Sequence, residues 1–211
     1  MDSHDTAAGF GQVSEARRLT MTVTESFDHV RERFENAVPP VDLARFEQLV
    51  RAGASWDEVR RATTENAPHF FMIYWRMDVT ALFRLAGGTR QCVEYLMGNH
   101  VIAERMYQHD PAAMLYAPLR LAIYDSSPAA DPGAVSSERE TPPPVTAGSG
   151  APPRGPFTSI TIDQPSTRFA GLGDPAITQV ALDLDRKLAH LLSWLDIPVP
   201  KPIAATGPRT A

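Results

Sequence analysis

Histidine and carboxylate side chains in the middle of the chain are spaced for joint action. His100 and Glu104 are four residues apart, and on a helix residues i and i+4 lie on one face. An imidazole and a carboxylate on one face could hold a divalent cation, or act as a general base and the group that orients it. His69 and His109 extend this set. The alternative is that His100 caps a helix or lies in a polar rim while Glu104 is solvated.

A single histidine in an apolar pocket can also be the axial ligand of haem, so His100 raises that alternative as well. Aromatic and apolar residues surround it in sequence, and they include Phe70, Phe71, Met72, Tyr74, Trp75 and Met97. Such a run on a central strand is also typical of core packing. Since no cysteine or third ligand has a diagnostic metal-site spacing, we expect no cofactor, with haem or a divalent metal at His100 as the alternative.

Polar side chains also fall on segments that read as buried strands. Arg120 is an example: a buried arginine needs a partner, which could be Asp163, Glu94 or the carboxylate of a ligand. We predict catalytic roles for His100, Glu104 and Tyr74. We predict that the ligand-binding residues are Arg76, Tyr95, Asn99, Arg120 and His69.

Composition excludes several classes of protein. The 211 residues are 43% hydrophobic and 21% charged, as in a globular protein with one core. A net charge of -5 without Lys/Arg clusters argues against a nucleic-acid partner. The N-terminal segment lacks the pattern of a signal peptide, and no apolar run approaches the roughly 18 residues of a spanning helix. The single cysteine, Cys92, forms no internal disulfide. We therefore expect a cytoplasmic protein without a membrane partner.

Hydrophobic spacing predicts the elements that position these residues. Period-two or unbroken apolar runs predict strands over residues 19–24, 69–75, 91–97, 115–124 and 157–163. Helical spacing predicts helices that begin near Phe27 and Leu43, and Ser55 with Glu58 forms a capping box for a third. Asn99 and Asp174 are favourable N-caps for two more, the second reaching Trp194.

Prolines are concentrated in one part of the chain. Eight of the 19 lie between residues 128 and 156, among Ser, Ala, Gly and Thr. Because residues 126–156 have almost no large apolar side chains, we expect a disordered insertion in a hairpin formed by the flanking strands. Residues 1–16 and 198–211 have a similar composition and are expected to be disordered tails. Residues 17–197 then form a single domain.

Three stretches together resemble the DUF302 family, in particular its actinobacterial members. They are Met97-Gly98-Asn99-His100, His109-Asp110-Pro111 running into Leu115-Tyr116-Ala117-Pro118-Leu119-Arg120, and Asp163-Gln164-Pro165-Ser166 before Gly173-Asp174-Pro175. The resemblance covers about residues 70–195. It implies an α+β domain with an antiparallel sheet covered by helices, often a homodimer, and no assigned reaction. Many members have proline at the position of His100, and residues 39–66 are expected to form a subfamily cap.

These observations leave three hypotheses. The first is small-molecule binding or acid–base catalysis, for example in specialised metabolism, in a pocket between the sheet and residues 39–66. The second is a non-enzymatic ligand-sensing or structural homodimer whose proline-rich loop recruits a partner through residues 142–144. The third is a haem or metal protein that uses His100.

Overall fold

The computed structural model describes residues 14–127 and 155–204, in which five strands form one antiparallel sheet of order β1-β5-β4-β3-β2. Every pair of neighbouring strands is antiparallel. Helices cover the sheet, so the predicted α+β class is confirmed. The strands are β1 (Arg18–Val23), β2 (Met72–Asp78), β3 (Cys92–Gly98), β4 (Leu119–Asp125) and β5 (Thr158–Asp163).

The helices follow the predicted order, with additions. They are α1 (Phe27–Ala37), α2 (Leu43–Arg51), α3 (Trp56–Asn66), α4 (Thr80–Arg84), α5 (His100–Tyr107), α6 (Pro165–Ala170), α7 (Pro175–Trp194) and α8 (Lys201–Ala204). A 3-10 helix over Pro111–Leu115 precedes β4. No helix in residues 14–127 and 155–204 is both long and apolar enough to cross a membrane.

The sheet has one buried face and one open face. On β3, Val93, Tyr95 and Met97 are buried, whereas Glu94 and Leu96 between them are half-buried. Alternation of this kind places successive side chains on opposite faces. The buried face packs in one core with apolar side chains of α1, α5, α6 and α7. These four helices therefore lie on one side of the sheet, and this side carries most of the buried apolar surface.

Side-chain caps fix where the helices begin. Ser55 and Glu58 form the predicted capping box of α3. The Asn99 side chain accepts hydrogen bonds from the amides of Val101 and Ile102 at the start of α5. Asp174 does the same for the first turn of α7. Each cap satisfies amides that have no partner inside the helix, and all three caps were expected from the sequence.

Strands β4 and β5 pair directly, which confirms the predicted hairpin. Leu121 lies opposite Ile162, and Ile123 lies opposite Ile160. Just beyond the strands, the amide of Ser126 donates to the Phe157 carbonyl oxygen at 2.9 Å. Most of the expected disordered insertion, residues 128–154, lies outside the described residues, as do residues 1–13 and 205–211 of the expected tails.

Several predicted boundaries are wrong. β2 begins at Met72 rather than His69, because Phe70 has a backbone φ of 73° and cannot continue a strand. β4 begins at Leu119 because the preceding residues fold into the 3-10 helix. Residues 198–204 are not a free tail: α8 is formed there, and Ile203 is 1% exposed in the core. The short helices α4 and α6 were not predicted.

Candidate functional site

His100 is the first residue of α5, and its ring bridges two other elements. Its Nδ1 atom lies 2.8 Å from the phenol oxygen of Tyr74 on β2. Its Nε2 atom lies 2.7 Å from the hydroxyl of Thr63 on α3. The ring of Phe46 on α2 packs edge-on against the imidazole, with centroids 4.3 Å apart. His100 is therefore held at a fixed place where β2, α2, α3 and α5 meet.

The surroundings of Tyr74 and His100 favour the uncharged form of both side chains. Burial raises the pKa of Tyr74 to about 12, although a backbone hydrogen bond from His100 opposes this. Burial lowers the pKa of His100 below its ordinary value of 6.5. Both shifts have the same cause, since an ionised group loses hydration in an apolar environment. At neutral pH the pair is therefore a protonated phenol and a neutral imidazole.

A cavity of about 170 Å³ lies beside this pair. Tyr74, Asn99 and His100 supply the polar side chains of its wall. Among the described residues that line it, none is an aspartate, glutamate, lysine or arginine. The remaining lining residues are Gly98, Ile102, Ala103, Met106, Met114, Ala117, Pro118, Leu119, Phe169 and Leu184. The site is an apolar chamber with one polar corner.

The position of the cavity differs from the prediction. It was expected between the sheet and residues 39–66, yet none of its lining residues comes from that segment. It lies instead at the end of the sheet, where β3 passes into α5 and α6 and α7 close the other side. The 39–66 segment still contributes, because Phe46 and Thr63 hold the far side of the His100 ring.

Gly98 allows the close approach of β3 and β4 at this end of the sheet. A Cβ atom on Gly98 would lie 3.3 Å from Cα of Pro118 and 3.6 Å from the ring of Tyr74. A side chain at this position would therefore crowd both cavity walls.

Asn99, a predicted ligand-binding residue, is occupied by the protein itself. While its side-chain oxygen caps α5, its Nδ2 atom donates to the Phe70 carbonyl oxygen at 2.9 Å. The amide of Phe70 in turn donates to the Ala67 carbonyl oxygen at 3.0 Å. These two hydrogen bonds hold Phe70 in its left-handed conformation, which costs free energy for a bulky residue. Asn99 thus positions both the cavity helix and the turn before β2.

Arg76 and Tyr95 do not join the Tyr74–His100 pair. Both bind Glu35 on α1: the Arg76 Nε atom and the Tyr95 hydroxyl each lie 2.7 Å from its Oε1 atom. Burial would raise the pKa of Glu35, but the hydrogen bonds from Arg76 and Tyr95 outweigh it and hold that pKa below its ordinary value. The predicted grouping of Arg76 and Tyr95 with the ligand site is not what the structure shows, because neither lines the cavity.

Arg120 lies on the open face of the sheet and is not buried. Its Nε atom is 3.1 Å from Glu94, one of the two structural partners considered, and its side chain is 75% exposed. A solvent-exposed pair of this kind contributes little stability. Arg120 does not line the cavity.

The structure does not bring Glu104 to His100. In the described residues no hydrogen bond or ion pair joins them, and both ring nitrogens of His100 already have partners. The His100 ring is directed instead to Tyr74 on β2 and Thr63 on α3. His109, the other histidine of the set, lies with Nδ1 at 3.8 Å from Asp174.

His69 belongs to a separate aromatic cluster. Its ring centroid is 4.2 Å from that of Trp194 and 6.1 Å from that of His190 on α7. Phe70 contacts His190 from the side, and the Lys187 ammonium lies 4.7 Å from the Phe70 ring centroid. Burial and the neighbouring His190 lower the pKa of His69. His69 therefore does not extend the His100 site.

The metal and haem alternatives fit this geometry poorly. Within the described ranges there is no group of three or more His, Cys, Asp and Glu side chains that could hold a metal ion. His100 has no ring nitrogen to spare. The cavity is also smaller than the roughly 300–1,000 Å³ of pockets that hold drug-sized ligands, and a haem is at least that large.

Sequence reasoning missed Thr63 and Phe46. Thr63 is 37 residues from His100, so spacing gives no sign of the contact. The available signal was helical periodicity, since Ala62 and Thr63 form the buried part of α3. A polar residue on the buried stripe of a helix stands out in the sequence, and that position could have singled out Thr63.

The comparisons with known proteins agree on one family and one fold. The model of DUF302, a domain of unknown function, matches residues 46–130. No curated protein matches the chain. The crystal structure of an uncharacterized conserved protein DUF302 from Bacillus stearothermophilus is similar, with a TM-score of 0.50 and 17% identity over 83% of this chain and 95% of that chain. At this identity the likeness shows the fold alone.

The family match includes the His100 hydrogen-bond cluster and most of the cavity lining, but not Phe169 and Leu184. Phe46, Thr63, Tyr74 and His100 all lie within the matched residues 46–130. The match starts inside the 39–66 segment, which therefore is not simply a subfamily addition. It ends at residue 130, before the Asp163-Gln164-Pro165-Ser166 stretch that contributed to the resemblance.

Proposed function

We propose that this chain, which belongs to the DUF302 family, binds a small, uncharged and mostly apolar molecule in the cavity beside His100. The observation that carries the proposal is an apolar chamber whose polar corner is a Tyr74–His100–Thr63 hydrogen-bond chain. Ligand sites of this kind are mostly apolar, with a few polar groups that set orientation.

The size of the cavity supports a ligand about as large as one six-membered ring. Its volume is about 170 Å³, and in another protein an engineered apolar cavity of roughly 150 Å³ binds benzene. The cavity also disfavours a charged ligand. A buried ion without a partner is costly, and the described lining offers neither a cation nor a carboxylate.

Acid–base catalysis, the other half of the first hypothesis, is less well supported. Tyr74 holds its proton because burial raises its pKa to about 12, and His100 resists protonation because burial lowers its pKa. Transfer of the phenol proton to the imidazole would therefore create two ions in an apolar site, which is unfavourable. The pair is better suited to orienting a ligand than to exchanging protons with it.

The binding proposal is tested with fluorobenzene as a probe, observed by ¹⁹F NMR. We expect saturable binding to the full chain and loss of binding in Ala103→Leu, which fills the cavity from α5. Ala81→Leu is the matched control, because Ala81 is exposed on α4. Equal binding to both folded variants and to the wild type would count against the proposal.

We also propose self-association, because the open face of the sheet carries large apolar side chains. Trp75 and Met77 on the edge strand β2 are 41% and 40% exposed. Trp75 aligns with Leu96 and Arg120 across three strands. Contiguous exposed apolar surface is typical of protein contacts, and this face supports the homodimer expected from the resemblance.

A further inference from the structure

The direction of the hydrogen-bond chain at His100 is set by Thr63. The Thr63 hydroxyl lies 2.8 Å from the Val59 carbonyl oxygen one turn earlier in α3. A carbonyl can only accept, so Thr63 uses its one hydroxyl hydrogen there. Toward His100, at 2.7 Å, the same oxygen must therefore accept. Nε2 of His100 is the donor in that contact.

This assignment fixes the other end of the chain. A neutral imidazole carries one N–H group, so Nδ1 of His100 has a free lone pair. The Tyr74 hydroxyl lies 2.8 Å from Nδ1 and donates its hydrogen to it. The Tyr74 hydroxyl then has no hydrogen left for a ligand. A backbone hydrogen bond from His100 already uses part of the acceptor capacity of the phenol oxygen, so one lone pair remains available.

The other polar side chain of the wall, Asn99, is anchored by hydrogen bonds within the protein. The Asn99 oxygen accepts from the amides of Val101 and Ile102, and its Nδ2 atom donates to Phe70. We take the Tyr74 oxygen, rather than the second Nδ2 hydrogen of the anchored Asn99 amide, as the group that meets the polar part of a ligand.

We infer that the natural ligand carries an O–H or N–H donor, which it gives to the phenol oxygen of Tyr74, so that the cavity selects small alcohols, phenols or amides over ethers and ketones. This inference rests on the proposed function and deepens it. Selection arises because an acceptor-only ligand would place one lone pair against another in an apolar site.

The test compares three ring-sized probes at pH 8: phenol, which carries a donor; fluorobenzene, which has a similar shape without one; and pyridine, which only accepts. Affinities are measured for the wild type and for Tyr74→Phe. We expect Tyr74→Phe to weaken phenol binding roughly two- to tenfold, while the fluorobenzene affinity changes little. The ratio between proteins removes the intrinsic difference in hydrophobicity of the probes.

Each outcome has a separate meaning. Loss confined to phenol supports the inference. Equal effects on phenol and fluorobenzene, or a loss confined to pyridine, overturn the inference and leave the proposed binding function intact. Failure of all three probes to bind the wild type overturns the proposed function itself.

A measurement on the wild type avoids any effect of Tyr74→Phe on folding. ¹⁵N NMR of the imidazole at pH 8 distinguishes the two neutral tautomers. We expect the proton of His100 on Nε2, with Thr63→Val as the variant that removes its acceptor and alters the tautomer signal. A proton on Nδ1 in the wild type would overturn the inference, because the Tyr74 hydroxyl would then be free to donate to a ligand.

Discussion

The phenol oxygen of Tyr74 lies 2.8 Å from Nδ1 of His100, across 26 residues of sequence, and ties a sheet strand to the first residue of a helix. The groups packed against His100 are Tyr74, Thr63 and Phe46, none of them charged at neutral pH. Because none of these three described groups is a counter-ion, a proton on the His100 imidazole would place a charge there without a partner among them.

Stability should fall at mildly acidic pH. Burial lowers the pKa of His100 in the folded chain below 6.5, so between that lowered pKa and 6.5 the unfolded chain binds more protons. The free energy of unfolding therefore decreases as pH falls through this window and is unaffected above it. Urea unfolding at pH 8 and pH 5.5 should show a smaller pH dependence for His100→Gln than for the wild type. His69 also has a lowered pKa, so the variant His69→Gln measures how much of the pH dependence of stability comes from His69. A pH dependence in His100→Gln as large as that of the wild type would contradict this account.

Asn99→Ala should destabilise the fold by more than the loss of an ordinary cap. Its side chain caps α5 and also holds the Phe70 carbonyl, whereas Ser26 makes a single capping contact of 3.4 Å on α1. Loss of one N-cap costs about 1 kcal/mol, and we expect about 2 kcal/mol for Asn99→Ala. Denaturant unfolding of Asn99→Ala beside Ser26→Ala checks this difference, and equal losses would argue that the Phe70 contact contributes nothing.

Asp185→Asn should be strongly destabilising. Asp185 on α7 is fully buried, and its carboxylate accepts from the Gln164 side chain at 2.8 Å and from the Ser166 amide and hydroxyl at 3.0 and 2.6 Å. An amide in its place would direct N–H groups at other donors, so we expect a loss of about 3 kcal/mol. Asp183→Asn is the control, because its partly exposed ion pairs are worth less than about 1 kcal/mol. Similar unfolding free energies for the two variants would refute the prediction.

Tyr95→Phe should leave the cavity unchanged. Its hydroxyl binds Glu35, away from the cavity lining, so the affinity for fluorobenzene should equal that of the wild type. The pKa of Glu35 should rise, because a hydrogen bond to its carboxylate is lost. An NMR pH titration of the Glu35 carboxyl and a binding isotherm measure the two effects. Weakened probe binding would show that the two sites are coupled.

Trp75→Ser should reduce self-association. The indole is 41% exposed on the open face of the sheet, and an aromatic side chain at the centre of an interface commonly carries a large share of its energy. Sedimentation velocity over a range of protein concentrations measures the change. Trp194→Ser is the control, since Trp194 is 51% exposed at the end of α7. A wild type that remains monomeric at high concentration would exclude the homodimer.

Local signals predicted the elements well. The caps at Ser55, Asn99 and Asp174 depend on a few neighbouring residues, and each helix begins where its cap predicts. The β4–β5 hairpin was also recoverable, because both strands keep their alternation on either side of the proline-rich segment. These features are encoded within a few residues of where they occur.

The site was predicted only in part, because its geometry depends on distant contacts. Tyr74 and His100 were both expected at the site, and the structure places them in hydrogen-bond contact. Helical spacing suggested Glu104 as a partner of His100, but both ring nitrogens of His100 bind residues of other elements. Arg76 and Tyr95 were predicted as ligand-binding residues because they are polar groups on buried strands. Both instead donate hydrogen bonds to Glu35 on α1, which lies 41 and 60 residues away in the sequence. Nothing local to β2 or β3 indicates that partner.

The pairing of β1 with β5 sets the order in which the sheet can be completed. Arg18 lies opposite Asp163, 145 residues later in the chain. At a synthesis rate of roughly 5–20 residues per second, β1 waits roughly 7–30 s for its partner. Among the described strands, β1 is therefore made first but has to wait for β5, the last, before it can take its place in the sheet.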